Sequence, residues 1–209
     1  VYAIQLAGCR PDWMGEAGRI AEAQGAALID INMGCPAKRV VGGYAGSALM
    51  RDLEVAESLI AAVTAAVSVP VSVKMRLGWD RAQLNAPELA ARAERLGVTF
   101  VSVHGRTRCD FYKGDADWSA IGATKRAVSV PVMANGDIGS VAEARAALAQ
   151  SGGDGVLVGR AAVGRPWLLG EMAAALNGRS WVSPPADERL DAAREQLAGS
   201  LACYGAKRG

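Results

Sequence analysis

The sequence predicts an α/β fold in which a parallel sheet is covered by helices. Six short segments rich in Val, Ile and Leu follow one another, and each precedes a stretch rich in Ala, Leu, Glu and Arg. Strands that are apolar almost throughout are typical of parallel sheets buried on both faces. No G-x-G-x-x-G motif follows the first segment, so the repeat favours a (β/α)8 barrel, the TIM barrel, over a dinucleotide-binding sheet.

The predicted strands alternate with helix-like stretches such as PDWMGEAGRIAEAQG after the first and NAPELAARAERLG after the third. In chain order the strands are YAIQLAG from Tyr2, AALIDIN from Ala26, VPVSVKM from Val69, VTFVSVHG from Val98, VPVMANG from Val130 and GDGVLVG from Gly153. Six of the eight β-α units of a closed barrel are therefore expected. Since the chain begins inside a strand and without methionine, we expect a fragment that lacks the first two units.

The end of the chain differs in pattern from the repeats. Ser183-Pro184-Pro185 is a helix breaker, and a new helical pattern starts at about Asp187. The sequence thus predicts a partial barrel over residues 1–182. Residues 183–209 are expected to be the start of a C-terminal helical domain.

Composition limits the classes of protein to consider. The chain has 209 residues and is 51% hydrophobic, enough for a full core. No apolar run approaches the roughly 20 residues that span a bilayer, so no membrane association is expected. The net charge of +2 is too small to indicate nucleic-acid binding by itself. The 4 cysteines form no C-x-x-C pair and no zinc spacing, which favours a reducing cytoplasm and no metal.

The loop INMGCPAKRV, Ile31 to Val40, places Cys35 directly after an apolar strand interrupted only by Asp30. Pro36 disfavours helical geometry at Cys35, so the chain stays extended at the thiol. A free cysteine is often a small core hydrophobe, but Asn32 and Lys38 in the same loop are not core residues. Because chemistry collects in the loops after parallel strands, we expect Cys35 to be functional.

Polar residues recur at the carboxyl ends of the strands, where a buried parallel sheet should be apolar. Each has a structural explanation: a lysine can extend to the rim, a histidine can be satisfied in the core, and Asn-Gly can be a turn. Their recurrence at the same end of successive strands instead predicts a polar ring around one pocket. Its members are Gln5, Lys74, His104, Asn135-Gly136-Asp137 and Gly159-Arg160.

The last two groups suggest a phosphate site. With two strands missing at the front, Asn135-Gly136-Asp137 ends strand seven and Gly159-Arg160 ends strand eight. In barrels, the loops after these strands, with a helix N-terminus, bind phosphate. Gly159 allows close backbone approach and Arg160 supplies a forked cation, so a phosphorylated cofactor is expected there. Lys74 would then face a flavin ring, where a cation stabilises the charge of the reduced form.

Seven motifs together resemble one enzyme family, the tRNA-dihydrouridine synthases, in their bacterial B-type branch. They occur in order almost from end to end: QLAG, DINMGCPAKRV, GSALM, VKMRLGW, VHGRTR, VMANGDI and VGRAAVGRPW. The resemblance implies an FMN-binding TIM barrel followed by a helical domain that grips tRNA. It also implies reduction of the C5–C6 double bond of D-loop uridine to 5,6-dihydrouridine, with NADPH as reductant through FMN.

The resemblance assigns roles residue by residue. Cys35 corresponds to the acid that protonates C5 after hydride reaches C6, and a thiol, mostly protonated at neutral pH, suits that role. The residues expected to contact flavin are Gln5, Lys74, His104, Asn135, Gly136, Asp137, Gly159 and Arg160. Those expected to face RNA or the target base are Asn32, Lys38, Arg76, Arg106 and Arg108. No metal and no obligate protein partner are expected.

Two other interpretations stay open at this point. A dihydroorotate dehydrogenase-like FMN enzyme acting on a free pyrimidine shares the barrel, a strand-tip lysine and a cysteine loop, but the HGRTR and GRAAVGRPW motifs argue against it. The other is a non-catalytic RNA-binding barrel, against which the intact cysteine loop and phosphate site argue. The chain departs from the family by lacking its Pro-Met-Ala type first-strand motif and most of its helical domain.

Overall fold

A computed structural model of the chain, which describes residues 2–206, contains one parallel sheet of six strands. All six predicted strands are confirmed, and they lie in the sheet in chain order. Their bounds are β1 Ala3–Leu6, β2 Leu28–Met33, β3 Val71–Arg76, β4 Phe100–His104, β5 Val132–Asn135 and β6 Gly155–Leu157. The architecture is a TIM-barrel-like α/β fold, as the sequence predicts.

Helices connect the strands and continue beyond the last one. They are α1 Pro11–Ala23, α2 Lys38–Val41, α3 Leu53–Thr64, α4 Ala86–Arg95, α5 Trp118–Ala127, α6 Val141–Ser151, α7 Leu168–Leu176 and α8 Ala186–Tyr204. Two 3-10 turns cover Gly46–Arg51 and Arg160–Ala162. Asp52, Asp117 and Ser140 cap helices α3, α5 and α6 by accepting a backbone N–H of the first turn.

The two faces of the sheet differ in chemistry because successive side chains of a strand point to opposite faces. In β2, Ile29, Ile31 and Met33 are fully buried, whereas Asp30 and Asn32 between them are polar and half-buried. Parallel strands in chain order, joined by right-handed crossovers, place their connecting helices on a single face. The apolar residues therefore form the core under the helices, and the polar ones share the other face.

Two loops that lead into strands are held in the same way. The sequence AVSVPV occurs at residues 66–71 and again at 127–132. Glu22 accepts hydrogen bonds from the backbone N–H groups of Ser68 and Val69, at 3.0 and 3.2 Å. Glu94 does the same for Ser129 and Val130, at 2.8 and 3.0 Å. These carboxylates fix the start of β3 and β5 and so help to align their polar carboxyl ends.

The chain divides into two compact units between Ala161 and Ala162. The first contains the sheet and α1 to α6; the second contains α7 and α8. Helix α8 begins at Ala186, next to the expected start, although the unit boundary lies before α7 rather than at residue 182. The role of residues 183–209 as the start of a helical domain stays a prediction, and 207–209 lie outside the described residues. Across residues 2–206, we find no helix with the length and apolarity needed to cross a membrane.

Candidate active site

A cavity of about 580 Å³ lies at the carboxyl ends of β3 to β6. This volume is in the range of small-molecule and cofactor sites. It is lined by Lys74, His104, Tyr112, Asn135, Gly136, Asp137, Ile138, Gly139, Glu143, Leu157, Gly159, Arg160 and Ala161. All of the residues expected to contact flavin are therefore brought together except Gln5, which is not among the lining residues.

Register explains why these side chains meet. Across the sheet, Arg76 of β3 pairs with His104 of β4, which pairs with Asn135 of β5. On the other edge of β3, Lys74 pairs with Asn32 of β2. Asn135 Nδ2 donates to the Leu157 carbonyl at 2.7 Å and so joins the ends of β5 and β6. The strand ends thus form a single polar rim.

Lys74 is a half-buried cation in this rim. Burial lowers its pKa to about 8, and the positive charge of Arg76 acts in the same direction, while Asp30 and Cys35 act to raise it. At neutral pH most Lys74 side chains still carry a proton. An anionic group beside Lys74 would be stabilised by this charge and would raise the pKa of the ammonium in return.

His104 is neutral at physiological pH. Burial, followed by the positive charges of Arg76, Lys74 and Arg106, lowers its pKa to about 3. Arg106 Nη1 lies 3.3 Å from His104 Nε2. Since a guanidinium only donates, Nε2 accepts and the imidazole proton must be on Nδ1. His104 can therefore offer one N–H donor without adding a charge.

Gly136 is required beside this histidine. Its φ is +109°, and a Cβ there would lie 2.7 Å from His104 Cδ2. Any side chain at this position would collide with the imidazole and with Ala116. The Gly136 carbonyl accepts from Trp118 Nε1 at 2.8 Å, which fixes the loop after β5 against α5.

Arg76 and Arg106, which the sequence predicts to face RNA, lie instead in the interior, at 1% and 3% exposure. Arg76 donates to the carbonyls of Gly34, Thr107 and Phe111, each at 2.8 Å. Arg106 donates to the carbonyls of Lys113 and Gly114 and to both oxygens of Asp137. Both arginines are thus occupied in holding the loop between β4 and α5.

Tyr112, in that same loop, is a cavity residue that sequence reasoning missed. Two guanidinium groups contact its ring, with Arg160 Cζ 4.8 Å and Arg76 Cζ 5.4 Å from the ring centroid. A weak signal for it is the FYK run that follows the HGRTR motif. Because Tyr112 is about half exposed, it forms an aromatic wall of the cavity that remains accessible.

The Cys35 loop is held by hydrogen bonds to the backbone N–H and C=O groups of both Gly34 and Cys35. Asn32 Oδ1 accepts from the N–H groups of Gly34 and Cys35, at 3.1 and 2.9 Å. The Cys35 carbonyl accepts from Ser47 N at 3.1 Å and from Ser47 Oγ at 2.8 Å. Gly46, with a φ of +60°, packs so closely that a Cβ would lie 2.8 Å from the Cys35 carbonyl oxygen. The half-buried cysteine therefore sits in a loop with a defined conformation.

The other two residues expected to face RNA lie nearer the surface. Lys38 begins helix α2 and is exposed. Arg108 is half-buried, and its guanidinium stacks between the rings of Trp79 and Phe111, at 4.8 and 4.7 Å from their centroids. Both positions can contribute positive charge to a surface beside the cavity.

The donor set of the cavity fits a phosphorylated flavin. Lys74 and Arg160 supply two cations, and a Cβ at Gly159 would meet open space, so a ligand can approach the backbone there. Glu143 already accepts from Gly139 N at the start of α6. Gly159 and Arg160 therefore combine open space at the backbone with a cation that is 74% exposed. Within residues 2–206, no group of three or more His, Cys, Asp or Glu side chains could hold a metal.

The fold and the cavity define an α/β barrel protein with a cation-lined ligand site at the carboxyl ends of its strands. Solved structures with this fold include a dipeptide epimerase from Enterococcus faecalis V583, with a TM-score of 0.55 and 13% identity over 75% of this chain and 38% of that one. At this identity the likeness concerns the fold alone. The family model for dihydrouridine synthase matches residues 1–209, and the chain belongs to that family.

Two relatives support the same assignment. The Rhodobacter capsulatus protein named "Probable tRNA-dihydrouridine synthase" is 54% identical over 204 residues, which cover 97% of this chain and 63% of that protein. The tRNA-dihydrouridine synthase B of Pseudomonas putida is 48% identical over 97% of this chain and 60% of its own length. The predicted resemblance to the family and its B-type branch is confirmed. The chain spans about three fifths of the length of these relatives.

Proposed function

We propose that this protein reduces the C5–C6 double bond of uridine in the D-loop of tRNA to 5,6-dihydrouridine, as a cytoplasmic oxidoreductase that uses FMN and NADPH. The observation that carries the proposal is the convergence of Lys74, His104, Asn135, Gly136, Asp137, Gly159 and Arg160 in one cavity of a dihydrouridine synthase family member. The names of the relatives support tRNA as the substrate.

Different residues of the cavity would hold different parts of the cofactor. Gly159 and Arg160 would hold the phosphate, the first by leaving room at the backbone and the second by a charge-assisted hydrogen bond. Lys74 would place its positive charge beside the ring, and neutral His104 would donate from Nδ1. When bound, FMN supplies hydride to C6 of the uracil, and NADPH is the source of those electrons.

Cys35 is the proposed acid. Transfer of its Sγ proton to C5 completes the addition of one hydride and one proton across the double bond, and the thiolate then regains a proton from solvent. Because Asn32, Arg76 and Ser47 hold the loop, the thiol is positioned before the substrate arrives. The target base must leave the RNA stack to reach it, at a cost that contacts to the rest of the tRNA would offset.

RNA contacts are assigned to a smaller set than the sequence suggests. Lys38 and Arg108 are near enough to the surface to meet phosphates, and Asn32 lies beside the cysteine loop. Arg76 and Arg106 would act indirectly, by holding the loop that carries Tyr112. Residues 183–209 are proposed to begin the helical domain that grips tRNA.

The test uses the full-length protein. The purified protein should be yellow and release FMN on denaturation. With NADPH and unmodified tRNA it should form dihydrouridine, detected by mass spectrometry of the nucleosides. Free orotate serves as the matched alternative substrate. A colourless protein that binds tRNA, or turnover of orotate without turnover of tRNA, would contradict the proposal.

A further inference from the structure

A line of side-chain hydrogen bonds runs from the middle of β2 to the cysteine loop. Asp30 Oδ2 accepts from Gln5 Nε2 at 2.6 Å, and Gln5 Oε1 accepts from Asn32 Nδ2 at 2.7 Å. Asn32 Oδ1 then accepts from the backbone N–H of Cys35 at 2.9 Å. In each of these three hydrogen bonds, the donor is the residue nearer to Cys35 along the line, and the acceptor is the residue nearer to Asp30.

The two ends of this line determine the direction of the amides between them. The Asp30 carboxylate only accepts, and the backbone N–H of Cys35 only donates. Reversing Gln5 would place its carbonyl against the carboxylate, and reversing Asn32 would place its NH2 against the backbone N–H. Only the observed orientation satisfies both ends, so residue 30 must offer an acceptor to Gln5 for this direction to be kept as far as residue 35.

Asp30 also accepts a hydrogen bond from outside this line. Its Oδ1 accepts from Ser72 Oγ at 2.6 Å, and Ser72 is fully buried in β3. Burial raises the pKa of Asp30, whereas the hydrogen bonds from Gln5 and Ser72 act to lower it. Burying a carboxylate in a strand is costly unless it is hydrogen-bonded, and Gln5 and Ser72 supply those bonds.

We propose that Asp30 is a positioning residue, which orients Gln5 and Asn32 and thereby holds the Cys35 loop in its observed conformation. The importance of that loop for chemistry rests on the proposed function, but the positioning itself does not. Gln5 is exposed, and it belongs to this line rather than to the lining of the cavity.

Reversing the polarity of the line tests the proposal. Asn32→Asp alone leaves Gln5 between two carboxylates, so one of them faces its carbonyl oxygen. Asp30→Asn combined with Asn32→Asp restores a consistent line that runs the other way. The new amide at position 30 then donates to Gln5, Gln5 donates to the new carboxylate at position 32, and that carboxylate still accepts from Cys35 N.

Asp30→Asn alone can keep the native direction because the Oδ1 of the new asparagine accepts from Gln5. Ser72→Ala, which leaves the Asp30 carboxylate in place, is the control.

Two measurements on the full-length protein report the loop without flavin, RNA or turnover. They are amide hydrogen exchange of residues 31–37 and the rate of Cys35 alkylation by iodoacetamide relative to that of exposed Cys109 in the same molecule. Asn32→Asp should raise both rates by about threefold to tenfold, the effect of losing one hydrogen bond. The double variant should return to within about twofold of the native protein, and both Asp30→Asn and Ser72→Ala should stay there.

Native rates in Asn32→Asp, or a double variant no better than Asn32→Asp, would overturn the proposal. If Asn32→Asp does not fold, adding Asp30→Asn must restore folding. A double variant that also fails to fold would overturn the proposal. Because these measurements need no substrate, a protein that fails to reduce uridine can still show the rescue. Conversely, a protein that reduces uridine but in which Asp30→Asn does not rescue Asn32→Asp would support the proposed function and contradict the positioning role of Asp30.

Discussion

Arg106 and Asp137 form a bidentate ion pair beneath the cavity, with Nη1 to Oδ1 at 3.0 Å and Nη2 to Oδ2 at 2.6 Å. Although burial acts to raise the pKa of Asp137, the hydrogen bonds from Arg106 and from Ala116 N hold it below its ordinary value. The same guanidinium approaches His104 Nε2. One buried cation therefore fixes both the charge of Asp137 and the tautomer of His104.

Replacing Arg106 should be costly to the fold. Arg106→Ala leaves the carboxylate of Asp137 with only the backbone N–H of Ala116 as donor and removes the guanidinium donor of two loop carbonyls, so we expect the free energy of unfolding to fall by roughly 3 kcal/mol. Arg106→Lys should recover only a part, since an ammonium cannot make the forked contact. Urea denaturation of both variants, with exposed Arg39→Ala as control, measures the difference. An Arg106→Ala protein as stable as the control would mean that the ion pair contributes nothing net.

His104 should titrate far below the ordinary range of histidine. It is the only histidine in these 209 residues, and its imidazole NMR signal is assigned as the one that His104→Gln removes. In the apoprotein we expect no protonation of His104 between pH 6.5 and about 4, because its pKa is lowered to about 3 by burial and by the neighbouring cations. A midpoint near pH 6.5 would contradict the buried, cation-flanked environment.

The lowered pKa of His104 also determines how the free energy of unfolding depends on pH. Between about pH 6.5 and pH 3, unfolded chains bind a proton at residue 104 and folded chains do not. Stability due to this site is therefore fully present above pH 6.5 and is lost as the pH falls, at up to about 1.4 kcal/mol per pH unit. His104→Gln, which cannot titrate, should lack this component. The comparison is the difference in free energy of unfolding between the two proteins at several pH values.

The pattern of strands and the polar strand ends could be predicted because both depend on local sequence. Each apolar run forms its strand, and a parallel arrangement brings all carboxyl ends to one edge. The burial of Arg76 and Arg106 could not be predicted from local sequence. A basic residue at the end of a strand is usually solvated. The carbonyls that accept from these two lie mostly in the loop between β4 and α5, where Phe111 has a positive φ of 54°.

Gln5 shows a second limit of sequence reasoning. Its position at a strand end, with Lys74 and His104, made it a cofactor candidate, but its partners Asp30 and Asn32 lie about 25 residues further along the chain and meet it only through strand pairing. The pairing of Gln5 with Asp30 is a property of the sheet register. Asp30 was visible as a polar interruption of an apolar strand, yet nothing in the sequence indicated what it bonds.

Arg160 should be needed to retain the cofactor. Its side chain is 74% exposed and lies 3.8 Å from Asp137, so the fold does not depend on it. Arg160→Ala should weaken FMN binding by about 1.5–3 kcal/mol through loss of a charge-assisted phosphate contact. Titration of the apoprotein with FMN measures this, and riboflavin, which lacks the phosphate, should bind native and variant proteins alike. Arg165→Ala, at an exposed arginine outside the cavity lining, is the control. Unchanged FMN affinity in Arg160→Ala would remove the phosphate assignment.

Cys35→Ala should separate the two halves of the proposed reaction. Reduction of the bound flavin by NADPH should proceed at the native rate, because hydride delivery to FMN needs no acid from the protein. Reduction of uridine should fall by about 10²–10⁴-fold, the usual contribution of a positioned general acid. Cys35→Ser should recover little, since a hydroxyl is a far weaker acid than a thiol. Cys109→Ala, at an exposed cysteine, should leave both halves unchanged.

Stopped-flow reoxidation of the reduced flavin by unmodified tRNA distinguishes this role from a structural one. If Cys35 only filled space in its loop, alanine would lower stability slightly and leave turnover per folded molecule intact. If Cys35 is the acid, the variant should fold, bind FMN and tRNA, and accept electrons from NADPH, yet transfer them to uridine slowly. Because Asn32, Ser47 and Arg76 hold the loop through backbone atoms, removal of the thiol should not disturb it. Native reoxidation rates in folded Cys35→Ala would therefore exclude Cys35 as the proton donor.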